Sequence, residues 1–224
     1  MKRQATAGLV LLAFAGLAGE AASAESATLS VTPWYVGLGL GRTYTKIPQQ
    51  AIDGQTAFFA TALGGTTSGT TTDRTHSTEG KVFLGYSFDP HIAVELGYAT
   101  LGNARASGLI SNGGGFTTLG LKYKLTAPFI DAVGRLPLNE KWSLIGRAGI
   151  AYARTSSTTT LSGFSGSSSA SETKLREKFG AGVDYQFSSS IVGRVEWENY
   201  RMPDPLTDES FRVNAAVLSV MYHF

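Results

Sequence analysis

Large apolar residues alternate with small or polar ones through eight stretches of this chain. The last stretch is the most regular, with Ala216, Leu218, Val220, Tyr222 and Phe224 on one face and Ala215, Val217, Ser219, Met221 and His223 on the other. Period two marks a β-strand, and about ten residues is the length at which a tilted strand crosses a bilayer. The first stretch, Trp34 to Tyr44, sets Trp34, Val36, Leu38 and Leu40 against Tyr35, Gly37, Gly39 and Gly41. The second, Gly80 to Phe88, opposes Val82, Leu84, Tyr86 and Phe88 to Lys81, Phe83, Gly85 and Ser87. Asp89-Pro90 turns it into the third, His91 to Leu101, where Ile92, Val94, Leu96 and Tyr98 oppose Ala93, Glu95, Gly97 and Ala99.

In the fourth stretch, Phe116 to Leu136, the pattern changes phase. Leu119, Leu121, Tyr123 and Leu125 fall in one phase, and Ile130, Ala132 and Leu136 in the other. An extra residue flips the facing of everything beyond it, so the pattern predicts a bulge near Thr126 to Pro128. The fifth carries Trp142, Leu144, Ala148, Ile150 and Tyr152 outward, and the sixth Phe179, Ala181, Val183, Tyr185 and Phe187. The seventh turns Val195 and Trp197 outward and Arg194, Glu196 and Glu198 inward.

Connections alternate in length: Asp89-Pro90, Pro137 to Glu140 and Ser188 to Ser190 are short, whereas 45–78, 102–115, 155–173 and 201–210 are long. No sheet edge can be left open in lipid. The pattern therefore predicts an all-β fold, an eight-stranded antiparallel up-and-down transmembrane β-barrel with short turns at one end and longer loops at the other. Aromatics sort to match, with Trp34, Phe88, Trp142, Phe187, Tyr222 and Phe224 at the turn end and Tyr44, Tyr98, Tyr152 and Tyr200 toward the loops.

Composition adds exclusions. A formal net charge of +2 carries no nucleic-acid footprint, and the absence of cysteine removes disulfides, thiol nucleophiles and thiolate metal sites. No cofactor or metal is expected. Lys2 and Arg3, the apolar run Ala7 to Ala18 and the small residues Ala22-Ser23-Ala24 read as a signal peptide over 1–24, cleaved after Ala24. The run is too short to span a bilayer as a helix. A short periplasmic lead over 25–33 and a barrel over 34–224 would follow.

Trp34-Tyr35-Val36-Gly37, Gly85-Tyr86 before Asp89-Pro90, Val94-Glu95-Leu96-Gly97-Tyr98, Arg147-Ala148-Gly149, Gly182-Val183-Asp184-Tyr185 and Arg194-Val195-Glu196-Trp197 resemble the transmembrane barrel of the OmpA family. The resemblance runs over about 34–224 and implies residence in the outer membrane. Its expected partners are outer-membrane lipid, lipopolysaccharide and the barrel-assembly machinery, with the chain a monomer. Members with a peptidoglycan-binding domain continue beyond the barrel; this chain stops at Phe224, so cell-wall tethering is not expected. Glu95, Arg194 and Asp184 match three of four residues of the family's lumenal ion-pair gate, while the lysine position reads Ala132. By resemblance to the outer-membrane class, Tyr222 and Phe224 form the signal read at assembly.

Inward charges are the main candidates for chemistry: Lys81, Arg147, Lys178 and Arg194 against Glu95, Asp131, Asp184, Glu196 and Glu198. An eight-stranded barrel is just wide enough for side chains to fill, and buried charges must pair. That predicts a plugged lumen and a structural envelope role, with outer loops available for surface interaction. A narrow low-conductance pore is the alternative, then a surface adhesin or a host-defence resistance protein. Some small outer-membrane barrels modify lipid A, but only His76 of the three histidines lies on the loop side. Asp73, His76 and Glu79 do not share a face at strand spacing, so no enzyme is expected. Gly37, Gly39 and Gly41 never complete GxGxxG and read as small lumenal residues. The Ser, Thr and Gly-rich 155–173 reads as a mobile hydrated loop, and Phe116 to Tyr123 as part of a projecting β-rim. Phe58 and Phe59, in the apolar run Ala57 to Leu63, read as packing on the rim or dipping into the outer leaflet, with a loop contact for a partner as the alternative.

Overall fold

The computed structural model describes residues 33–45, 49–72, 75–111, 113, 115–163, 166–206 and 210–224. The expected signal peptide, with Ala22 and Ala24, and all of the lead except Pro33 lie outside them. The strands are β1 (Trp34–Thr45), β2 (Thr66–Thr72), β3 (Thr75–Ser87), β4 (Ile92–Ser111), β5 (Phe116–Pro137), β6 (Trp142–Leu161), β7 (Ser167–Gln186), β8 (Ile191–Pro203) and β9 (Ser210–His223), with one helix, α1 (Gln49–Ala62), among the described residues.

Every pairing is antiparallel. β1 pairs with β3 and β9, and the chain of neighbours β3, β4, β5, β6, β7, β8, β9 returns to β1, closing a ring of eight strands. Trp34 pairs with Tyr86 on β3, and Leu38 with Val220 on β9. Above β3, the short β2 takes its place along β4, pairing Thr66–Thr72 with Ala106–Ser111. Three short turns share one construction. Asp89 Oδ1 accepts the backbone N–H groups of His91 at 2.6 Å and Ile92 at 2.8 Å. Asn139 Oδ1 does the same for Lys141 and Trp142, both at 2.9 Å, and Ser188 Oγ accepts Ile191 N–H at 3.1 Å. Such self-closing Asx and Ser turns are local, which is why they are legible in sequence.

The bulge falls elsewhere than expected. β5 runs in one register on β6 from Leu119 to Pro137, with Thr126 opposite Arg154 and Phe129 opposite Ala151. The register shift lies on β4, between Thr100 and Gly102, where Gly102 has φ +78. The phase change on β5 has a different cause. Ile130, Ala132 and Leu136 face outward, where lipid receives them, whereas Leu119, Leu121, Tyr123 and Leu125 face inward and are buried. Apolar side chains seek the nearest dry side, and that side changes from outside to inside where the strand leaves the hydrocarbon. The backbone stays in step while its environment inverts.

β4 to β7 are 20, 22, 20 and 20 residues long, about twice a membrane crossing, so half of each projects beyond the outer interface. Much of the 155–173 segment expected to be a mobile loop is paired strand, with Thr155 opposite Glu172 and Thr160 opposite Ser167. Its threonines alternate, so Thr155, Ser157 and Thr159 are buried inside the projecting wall. The connection after β1 contains α1, which buries Ile52, Thr56 and Ala60 on one face at helical spacing. That face lies on the inner side of β4, with Thr56 packed over Gly108 where no Cβ intervenes. Tyr200, placed by its sequence position in the outer aromatic belt, instead faces the lumen and is fully buried. It lies two residues from Glu198 and so shares its face.

Candidate functional site

Period-two alternation brings the inward charges of six strands, β3 to β8, to one level of the lumen. Arg147 on β6 is the centre. Its guanidinium meets Glu95 Oε2 at 2.5 Å, Glu198 Oε1 at 2.8 Å, Asp131 Oδ2 at 3.1 Å and Glu196 Oε2 at 3.1 Å. Arg194 holds Asp184 through two parallel bonds, Nε to Oδ1 at 2.7 Å and Nη2 to Oδ2 at 3.0 Å, and donates to Glu95 Oε1 at 2.7 Å. Lys178 donates to Asp131 at 2.5 Å and approaches Glu198 at 2.7 Å. Lys81 pairs with Glu196 and, at 3.2 Å, with Glu198. Bidentate and multiply shared contacts of this kind fix side chains as well as neutralise them.

All nine lumenal residues marked from the sequence are thus in one connected network. Four further members were missed. Tyr35 donates its hydroxyl to Glu95 at 2.8 Å and Tyr200 to Glu198 at 2.7 Å. Glu79 lies 3.3 Å from the Tyr200 hydroxyl, and Arg135 reaches Asp184 at 3.7 Å and donates to Ser87 at 2.9 Å. Alternation could have found Glu79, two residues before Lys81 and hence on the same face, had the second stretch been started earlier. Five cations against six carboxylates leave this network close to neutral, unlike the single-sign ring of an ion-selective pore.

β1 and β9 contribute space rather than charge. A Cβ on Gly37 would enter the Phe83 ring, and one on Gly39 would meet Ser219 Oγ at 2.6 Å. Glycine and serine on these two strands are what leave room for the long side chains of the others.

Outside the membrane a second region forms at the mouth. A cleft of about 260 Å3 separates α1 from the β6–β7 ribbon, lined by Gln55, Phe58, Phe59, Ser157, Ser168 and Leu206 among others. Phe58 is two-thirds exposed, and Phe59 packs partly on the buried core. Beneath the cleft, burial pushes the Tyr123 hydroxyl pKa up, and the nearby Asp204 carboxylate adds to the shift. His76 lies on the exterior against Tyr44, ring centroids 5.1 Å apart, while Glu79 is inside. The two are on opposite faces of β3, and Asp73 lies outside the described residues. Among the described residues no group of His, Cys, Asp and Glu could hold a metal ion.

The profile of the OmpA-like transmembrane domain matches residues 30–224. The chain belongs to this family. The membrane-facing exterior and the two aromatic levels agree with residence in the outer membrane. Solved structures similar to this OmpA-like barrel include Ail, the attachment invasion locus protein of Yersinia pestis, in complex with the heparin analogue sucrose octasulfate. It is 17% identical, with 86% of this chain and 100% of that one covered and a TM-score of 0.47. The N-terminal β-barrel domain of Pseudomonas aeruginosa OprF is 13% identical, over 87% and 99% of the two chains, at 0.46. Neisserial surface protein A is 11% identical, over 87% and 99%, at 0.49. None of the curated proteins matches the sequence.

Proposed function

We propose that this OmpA-like barrel is a structural component of the outer membrane with a plugged lumen, and that its projecting rim is the part available to other surfaces. One observation carries the reading: the Arg147 guanidinium touches four carboxylates from three other strands across the lumen. A conducting path would have to break those contacts, and breaking one partner of a buried ion pair costs about 3–5 kcal/mol. Planar-bilayer recording of the purified barrel is expected to show no channel events above the lipid baseline. Regular openings would replace the plug with a narrow pore.

The role is structural rather than catalytic. Residues 1–24 are the cleaved signal, with Ala22 and Ala24 at the cleavage site, 25–33 the periplasmic lead and 34–224 the barrel. The chain acts as a monomer in contact with outer-leaflet lipid and lipopolysaccharide, and Phe58, exposed at the mouth, is accessible to a surface ligand. Tyr222 and Phe224, whose rings meet edge to face at 5.7 Å, are the segment offered to the barrel-assembly machinery. Deleting Phe224 should lower the inserted fraction, read in cells as loss of the heat-modifiable gel band. Insertion equal to that of the intact chain would remove this assignment.

A further inference from the structure

The cleft at the mouth owes its two walls to two different periods. On β6 and β7 the inward residues recur at every second position, so Ser157 and Thr159 stand on one strand with Ala170 and Ser168 directly opposite them on the other. On α1 neighbours recur at three and four positions, so Gln55, Phe58 and Phe59 share one side of the helix. Leu206 lines the same space. The strand wall is therefore small and hydroxylated, and the helix wall is aromatic. None of the residues lining the cleft carries a charge.

Two features point to a ligand. The first is size: an apolar cavity of about 150 Å3 holds benzene, and this cleft, at about 260 Å3, has room for a ring that also bears a polar group. The second is Ser157, which is 1% exposed and whose Oγ has no hydrogen-bond partner among the described residues. A hydroxyl buried without a partner is costly, and a polar group brought to it offsets that cost. The rings of Phe58 and Phe59 already meet edge to face at 5.4 Å, and a third ring extends that packing. We propose that the cleft is a binding site for a small uncharged phenol, with its ring against Phe58 and Phe59 and its hydroxyl on Ser157 Oγ. An aromatic acid or amine is excluded by its charge, because no lining side chain compensates an ion taken out of water there. The site goes beyond the structural role and stands apart from the lumenal network, so a conducting barrel would leave it untouched.

The test titrates 4-fluorophenol into the full-length barrel refolded in zwitterionic micelles, follows the fluorine line by NMR, and subtracts the partition measured with empty micelles. Wild-type protein should bind 4-fluorophenol saturably and about tenfold more tightly than fluorobenzene, which lacks the hydroxyl. The charged analogue 4-fluorobenzoate should not compete. Ser157→Ala should weaken 4-fluorophenol to the level of fluorobenzene while leaving fluorobenzene itself unchanged, a split that a merely structural role for Ser157 would not produce. Ala170→Trp, which fills the cleft from the position opposite Ser157, should abolish both. Leu175→Ala, an exposed change nearer the membrane on the same strand, should alter neither. A heat-modifiable gel shift verifies that each variant is folded. Absence of saturable binding, equal affinity for the phenol and fluorobenzene, competition by 4-fluorobenzoate, or binding unchanged in Ser157→Ala or Ala170→Trp would each overturn the proposal.

Discussion

Arg147→Met is expected to destabilise the folded barrel by about 3–5 kcal/mol. Its side chain is wholly buried and serves Glu95, Asp131, Glu196 and Glu198 together. Methionine fills much of the volume but leaves four cations against six carboxylates in a space that admits little water. Arg194, Lys178 and Lys81 still reach Glu95, Asp131, Glu196 and Glu198, so the fold survives with its negative excess doubled. Adding Glu198→Gln restores the original balance, and the double variant should recover part of the loss. Urea unfolding in micelles, followed by tryptophan fluorescence, gives all three midpoints. An unchanged midpoint for Arg147→Met would mean that water, not Arg147, neutralises the carboxylates.

Gly149→Val should abolish the folded form, while Gly146→Val, three residues away on the same strand, should fold as well as the parent. A Cβ on Gly149 would run into the Ile130 carbonyl oxygen and the Asp131 side chain on β5. Backbone cannot retreat there without opening the β5–β6 ladder, in which Gly149 faces Asp131. Asp131 would also be displaced from Lys178 and Arg147. Gly146 faces outward and a Cβ there meets nothing within 4 Å, so valine adds lipid contact and suits a strand. Refolding yield by heat-modifiable gel shift decides both. A folded Gly149→Val would show that β5 and β6 can separate at this level.

Much of this architecture was readable because its causes are local. Asp89, Asn139 and Ser188 close their own turns within three residues, and strict alternation assigns Lys81, Glu95, Asp131, Arg147, Lys178, Asp184, Arg194, Glu196 and Glu198 to one face. Glu79 and Tyr200 obey the same alternation but sit where the strands seemed to end, one in an apparent loop and one in an apparent belt. α1 was hidden for another reason. Its apolar Ala57 to Ala62 shows no strong period, and although Gly64 at φ +66 caps its C-terminal end, the inner wall of β4 supplies the surface that makes the helix worth forming.

By itself the sequence determined that the chain makes strands, how many cross the membrane, and which residues share a face, because a period of two is a property of the backbone alone. It also determined that one face would collect charges of both signs. Only the tertiary structure decided which face is inside at each height. Leu119, Leu121, Tyr123 and Leu125 look in the sequence like a lipid-facing run with its register slipped, yet they form an interior above the membrane. The same alternation serves two solvents, since apolar side chains point out into hydrocarbon below the boundary and in toward each other above it. That boundary is set by the closed ring of strands meeting water.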